Sequence, residues 1–160
     1  MEEFTHIDKE GHVRMVDVSG KKPTLRVAVA QGVVSMSQEP FEKIVNQTAK
    51  KGNVLETARI AGIMATKKTS DLIPMCHPLN INHIAIDFFP DKVKNSIRIQ
   101  AAVRAIDQTG VEMEALTAVS VAGLTIYDMC KSYDRAMTIS DICLLEKSGG
   151  KSGLFVRNGG

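Results

Sequence analysis

The sequence of 160 residues predicts an α+β fold, with a four-stranded antiparallel or mixed sheet and its helices packed on one face. A long apolar run without proline indicates a buried helix. Two alternating segments joined by a short polar stretch indicate a β-hairpin. The predicted elements follow in the order strand, helix, helix, strand, strand, helix, strand. This order, with one extra helix, is the β-α-β-β-α-β arrangement called ferredoxin-like.

The predicted central helix lies in the stretch 109–131, after a break at Gly110, and nearly all residues between its charged ends are small or apolar. It is therefore expected to be buried on most sides. Charge returns at Asp128 and Lys131, whose spacing of three residues places them about one turn apart. At about 1.5 Å of rise per residue, Glu114 near the helix start is roughly 21 Å from Asp128.

The other elements follow from local patterns. Glu39-Pro40 begins a short helix, because proline is favoured in the first turn. Asn53 and Glu56 resemble a capping box at the start of a helix over residues 54–68, which is rich in small residues. Apolar and small residues on the second face of the sheet predict another subunit there. Alternation of apolar with polar or small residues predicts strands at 24–36, 81–89, 96–106 and 138–146.

Residues 1–160 are predicted to form a single domain with two peripheral ends. Residues 1–23 are polar and form an arm that packs on its own body or on a neighbour. Residues 147–160 form a flexible tail rich in Gly, Ser and Lys, which is either frayed or closes on an anion. The tail does not match a P-loop, because Leu145 occupies the position of the first glycine.

Composition limits the classes of function. The formal net charge is +2, and aromatic residues make up only 4% of the chain, with no tryptophan. This composition argues against stacking of nucleic-acid bases on the protein surface. The polar N-terminus and the lack of a long uncharged apolar run predict neither a signal peptide nor a membrane span. Three cysteines without a C-x-x-C pair argue against a disulfide framework or structural zinc site. We expect a cytoplasmic protein that binds neither nucleic acid nor membrane.

Two short segments are candidates for chemistry. Lys51 precedes a helix N-terminus, which favours anions, so it indicates either a phosphate site or a solvated loop lysine. Met75-Cys76-His77 lies between two prolines that restrict the backbone, so His77 is either a positioned titratable group or a hydrogen-bonded loop histidine. No cluster of further ligands predicts a metal site. Asp128 and Lys131 form either a helix-end ion pair or an acid/base pair.

Four stretches together resemble one family. They are MVDVSGK at 15–21, KGNVLETARIAGIMATKKTSDLIPMCHPL at 51–79, TGVEMEALTAVSVAGLTIYDMCK at 109–131 and LLEKSGGKSG at 144–153. On these motifs the chain resembles the MoaC family of molybdenum-cofactor biosynthesis, the cyclic pyranopterin monophosphate synthases. The similarity covers nearly the whole chain, whereas the strands between the motifs are generic.

The resemblance implies a lyase-type reaction on a GTP-derived substrate. Family enzymes rearrange 3′,8-cyclo-7,8-dihydro-GTP, the product of a radical partner enzyme, into the pyranopterin with a cyclic phosphate, and they release pyrophosphate. The family forms a homohexamer, a trimer of dimers, with active sites at subunit contacts. The reaction implies no required cofactor, and it leaves open whether Mg²⁺ accompanies the triphosphate.

The resemblance also assigns residues. The family's catalytic acid/base corresponds to Asp128 and its essential lysines to Lys51 and Lys131. Its substrate contacts correspond to Met75, Cys76, His77, Met113 and Glu114. Glu112 and Glu114 are further expected to accept hydrogen bonds from guanine-type groups, and a triphosphate needs cations, for which the candidates are Arg26, Lys147 and Lys151. Because roughly 21 Å of helix separates Glu114 from Asp128, a neighbouring chain's Glu114 is expected to complete each site.

Overall fold

The computed structural model describes residues 6–158 and confirms the α+β class. The sheet is open, and every pair of neighbouring strands is antiparallel. The elements are β1 Thr24–Ser35, α1 Gln38–Val45, α2 Val54–Thr66, α3 Thr69–Leu72, β2 Ile81–Asp91, β3 Ser96–Asp107, α4 Glu112–Cys130, β4 Thr138–Ser148 and β5 Phe155–Val156. The short helix α3 includes Asp71 and Leu72, although Pro74 and Pro78 predict a loop over residues 71–80.

The prediction of four strands is wrong, because the sheet has five in the order β2-β3-β1-β4-β5. The fifth strand is Phe155–Val156, which pairs with Lys147 and Glu146. Two residues between glycine-rich segments are too few to show a period-two pattern, so no sequence pattern predicts this strand. The segment predicted as a tail from residue 147 therefore begins inside β4 and returns to pair with it.

The side of the sheet that faces α4 is the core. In β1 the small residues Ala28 and Ala30 are fully buried, whereas Val27 and Val29 are only half-buried on the opposite face. Small side chains let α4 approach the sheet closely, and Gly123 of α4 lies near Ile139, Val34 and Ile99 for the same reason. Within residues 6–158, no helix has both the length and the apolar character needed to cross a membrane, α4 included.

Helices α2 and α4 pack directly against each other, as the small residues of both predicted. At Gly62 of α2, a Cβ atom would stand only 3.0 Å from the carbonyl oxygen of Ala118 in α4. The same Cβ would also meet the end of the Ile86 side chain. Gly62 therefore fixes the distance between the helix that follows Lys51 and the helix that carries Asp128.

Gly62→Val should destabilise the fold, because the added side chain cannot fit between α2 and the α4 backbone. We expect a loss of about 1–3 kcal/mol in the free energy of unfolding, measured by denaturant titration. Met64→Val introduces the same side chain on an exposed position of α2 and should cost less than about 0.5 kcal/mol. Equal losses in the two variants would show that helix propensity, not the contact with α4, controls this position.

Candidate active site

Asp128 lies in the last turn of α4 between the amines of two lysines. Its Oδ1 is 2.8 Å from Nζ of Lys131, and its Oδ2 is 3.6 Å from Nζ of Lys51. Lys51 Nζ also donates a hydrogen bond of 3.0 Å to the backbone carbonyl of Asp128. The structure thus brings together the three residues predicted to be catalytic, which we call the Asp128 triad.

Local bonds hold Lys51 against the end of α4. The amide of Lys50 donates to the hydroxyl of Tyr133, which follows α4. Asn53 caps α2 by accepting from the amide of Glu56. Gly52 supplies the turn between them with a φ of +96°, a value that favours glycine. The capping box predicted at Asn53 is thus confirmed on its Asn53 side, and it aligns the loop that carries Lys51.

The charges of the Asp128 triad support one another. The hydrogen bond from Lys131 lowers the pKa of Asp128, and the charges of Lys131 and Lys51 lower it further. In return the hydrogen bond to Asp128 raises the pKa of Lys131. About half of each side chain is exposed. At neutral pH the triad therefore holds one carboxylate, able to accept a proton, beside an ammonium group able to donate one.

A cavity of about 410 Å³ lies at the opposite end of α4. Six of the residues predicted to bind the substrate line it: Met75, Cys76, His77, Glu112, Met113 and Glu114. The arm contributes Val16, Val18 and Lys21, which closes one side of the cavity. We call this space the Glu114 cavity.

Glu114 is the most unusual group of this cavity, because only 4% of it is exposed and no cation pairs with it among residues 6–158. Burial raises its pKa to about 7, and the negative charges of Glu112 and Asp107 act in the same direction. Glu114 in turn raises the pKa of the Cys76 thiol, although burial of that thiol is the larger cause. The cavity therefore contains a carboxyl group that changes charge near neutral pH.

The raised pKa of Glu114 makes stability depend on pH. Between pH 4.5, the ordinary pKa of this group, and about pH 7, Glu114 is protonated in the folded chain but ionised in the unfolded chain. Stability is therefore highest at low pH with respect to this group, and it falls as pH rises through about 7, by at most about 3 kcal/mol. Glu114→Gln should remove this slope, measured by denaturant titration at pH 5 and pH 8. Glu39→Gln, at an exposed position, should retain it.

A second cavity, of about 690 Å³, adjoins the first and is strongly basic. Lys21, Thr109, Gly110 and Glu112 line both cavities, so the two lie side by side. Among residues 6–158, the only acidic residue that lines the second cavity is Glu112. Its cationic residues, which define what we call the basic cavity, are Lys21, Lys22, Arg26, Lys147 and Lys151.

Two cations of the basic cavity are engaged within the protein. Arg26 donates from Nε to the carbonyl of Asp107 at 3.1 Å and from Nη2 to that of Gln108 at 2.8 Å. The backbone of Gly150 lies against Nη1 of the same guanidinium, where no Cβ would fit. Lys147 Nζ donates to the hydroxyl of Ser152. Arg26 thus joins β1, the loop before α4 and the segment after β4.

The Asp128 triad lines neither of these two cavities. Glu114 and Asp128 lie near opposite ends of α4, which runs without a break from Glu112 to Cys130. Lys21 and Lys22 were not predicted to belong to the site, although Lys21 ends a recognised motif. Asp8, Glu10 and His12 of the arm bring ligand atoms within 4.8 Å of one another, but they line neither cavity.

Comparison with known proteins identifies the family. The family model described as "MoaC family" matches residues 15–150, which is most of the chain. This chain belongs to the MoaC family. The motifs at 15–21, 51–79 and 109–131 lie within the matched range, and with them the Asp128 triad and all residues of the Glu114 cavity except His6.

Curated MoaC relatives match the chain over nearly its full length, and all three named here are called cyclic pyranopterin monophosphate synthase. One from Desulforapulum autotrophicum is 62% identical over 98% of this chain and 96% of its own length. One from Desulfatibacillum aliphaticivorans is 60% identical over 99% of this chain and 100% of its own. One from Syntrophomonas wolfei is 58% identical over 97% of this chain and 99% of its own.

Proposed function

We propose that this MoaC-family chain is a cyclic pyranopterin monophosphate synthase of molybdenum-cofactor biosynthesis. As a lyase, it would convert 3′,8-cyclo-7,8-dihydro-GTP into cyclic pyranopterin monophosphate and release pyrophosphate. The observation that carries the proposal is that the two cavities lie side by side and share four lining residues. One is lined by carboxylates and the other by five cations, which suits the ring end and the triphosphate end of one purine-derived nucleotide.

The reaction opens and recloses rings, so protons must move in both directions. Asp128 is ionised at neutral pH and would accept a proton, and Lys131 or Lys51 beside it would donate one. Positioned acids and bases of this kind contribute about 10²–10⁴-fold each. Glu114 and Glu112 would hold the ring end, with Met75, Cys76, His77 and Met113 around it.

The proposal requires two copies of the chain for each site, because the Asp128 triad and the Glu114 cavity lie at opposite ends of α4. We propose the homohexamer of the family, a trimer of dimers, in which the triad of one copy faces the Glu114 cavity of another. The partly exposed Val27, Val29 and Val33 on the open face of the sheet support subunit contact there.

Several finer assignments accompany this proposal. No organic cofactor takes part, Mg²⁺ accompanies the triphosphate if any metal is used, and the enzyme works in the cytoplasm without binding nucleic acid or membrane. The unit from β1 to β4 is ferredoxin-like, which is supported by its strand order β2-β3-β1-β4 and its antiparallel pairing.

Incubation with 3′,8-cyclo-7,8-dihydro-GTP tests the proposed activity. We expect release of one pyrophosphate for each pterin formed. A phosphate assay measures the pyrophosphate, and fluorescence of the oxidised pterin measures the pterin product. Tight binding of the intermediate without release of pyrophosphate would instead identify a nucleotide-binding regulator on the same fold.

A further inference from the structure

Tyr133 lies just beyond the C-terminal end of α4, outside the motif that ends at Lys131. Its amide donates to the Cys130 carbonyl at 2.9 Å, which folds the chain back after the helix. Its ring is half-buried against the hydrophobic core, and Nζ of Lys43 in α1 stands 5.1 Å from the ring centre. The turn after α4, the core and α1 thus fix the ring, and with it the place of the hydroxyl.

The hydroxyl of Tyr133 accepts a hydrogen bond of 3.0 Å from the Lys50 amide. Lys50 belongs to the loop between α1 and α2, which also carries Lys51. This loop is anchored at both ends, because Ala49 is buried in the core and Asn53 caps α2. Within residues 6–158, no other hydrogen bond joins the backbone of Lys50 or Lys51 to the chain at the end of α4. The Tyr133 hydroxyl is therefore the anchor of the middle of the loop.

Lys51 needs such an anchor because its side chain is restricted only weakly. Its Nζ stands 3.0 Å from the Asp128 carbonyl and 3.6 Å from Oδ2, and about half of the lysine side chain is exposed. An ion pair this exposed contributes little, and the lysine stem has four rotatable bonds. A fixed backbone at the preceding residue limits the positions that the amine can reach. The bond from Lys50 to Tyr133 therefore acts on the placement of the Lys51 amine beside Asp128.

We propose that Tyr133 is a positioning residue of the active site, which acts through Lys51 and does not touch the substrate. The proposal rests on the proposed function for the reaction itself, whereas the anchoring of the loop does not. Displacement of a reacting group by about 1 Å lowers a rate substantially, even when the fold is intact. The Lys50 amide is exposed, so water replaces the hydroxyl when the hydroxyl is lost, and the protein stays folded.

Tyr133→Phe removes the hydroxyl and keeps the ring. We expect kcat/KM for the cyclised GTP intermediate to fall about 5–10-fold, with a nearly unchanged melting temperature. The loss should appear in the same constant, kcat or KM, that Lys51→Met changes, because both substitutions act on one amine. The matched control is Tyr127→Phe, which removes a hydroxyl that donates to the Arg135 carbonyl at 3.0 Å. It should leave kcat/KM within about twofold of wild type.

A double-mutant cycle separates positioning from a general structural effect. In the Lys51→Met variant, Tyr133→Phe should have no further effect, since the amine that it positions is already absent. Tyr127→Phe should have the same small effect with and without the Lys51 amine. Wild-type kcat/KM in Tyr133→Phe would overturn the proposal. A loss of the same size in both backgrounds would also overturn it, because Tyr133 would then act independently of Lys51.

Hydrogen–deuterium exchange, resolved to single amides by fragmentation mass spectrometry, tests the anchor without a substrate. The Lys50 amide should exchange about fivefold faster in Tyr133→Phe than in wild type. The Glu56 amide, which donates to Asn53 in the same region, should exchange as in wild type. Unchanged exchange at Lys50 would overturn the proposal. Faster exchange at Lys50 in a protein that releases no pyrophosphate would support the anchor while rejecting the proposed reaction.

Discussion

Asp128→Asn is expected to lower turnover of 3′,8-cyclo-7,8-dihydro-GTP by at least about 10²-fold. Asparagine keeps the shape of the side chain and can still accept a hydrogen bond from Lys131, but it cannot take up a proton. Because Asp128 is largely exposed, the fold and the melting temperature should change little. Single-turnover release of pyrophosphate measures the loss, and a thermal melt confirms that the fold is intact.

Asp71→Asn is the matched control for this experiment. Asp71 and Lys68 form an exposed ion pair with the same spacing of three residues, at 3.4 Å, away from both cavities. Its loss should leave turnover within about twofold of wild type, since exposed pairs contribute little. Wild-type turnover in Asp128→Asn would show that this carboxylate does not transfer the proton.

Lys51→Met is the second substitution with a large expected effect. Lys51 is fixed beside Asp128 by its bond to the Asp128 carbonyl and by the capped start of α2. Methionine keeps most of the apolar stem but removes the amine that we propose donates a proton or contacts a phosphate. We expect turnover to fall by at least about 10²-fold, with unfolding free energy unchanged within about 0.5 kcal/mol.

Lys50→Met is a close control, since Lys50 contacts Tyr133 only through its backbone amide. It should retain nearly full turnover. Comparing kcat with KM also separates two roles for Lys51: loss in kcat alone indicates a proton donor, whereas a rise in KM alone indicates a phosphate ligand. A variant with both constants unchanged would remove Lys51 from the site.

The sequence predicts features that depend on neighbours along the chain. The spacing of Asp128 and Lys131 within one helix makes their contact a matter of helical geometry, and the length of α4 fixes the separation of Asp128 from Glu114. The alternation in β3 likewise predicts its strand and its buried face. These predictions hold because each depends on the backbone period rather than on distant partners.

Other features depend on contacts between segments that are far apart in sequence. The contact of Lys51 with Asp128 could be expected only from the family resemblance, because it joins a loop to a helix 77 residues later. The hydrogen bonds from Arg26 to the carbonyls of Asp107 and Gln108 could not be predicted, because no pattern along the chain links residues about 80 positions apart. The strand β5 and the role of the arm in both cavities were missed for the same reason.

Mixing two inactive variants tests most directly whether each active site is shared between chains. Asp128→Asn removes the carboxylate of the Asp128 triad, and Glu114→Ala removes the buried carboxyl group of the Glu114 cavity. Each variant alone should therefore form an inactive homo-oligomer. In mixed pairs with two-fold symmetry, one of the two sites receives a wild-type Asp128 from one chain and a wild-type Glu114 from the other. Co-refolded or co-expressed chains should therefore recover about a quarter of wild-type pyrophosphate release if they mix at random. Release that stays at the level of the separate variants, despite proven mixing of the chains, would contradict a site built between subunits.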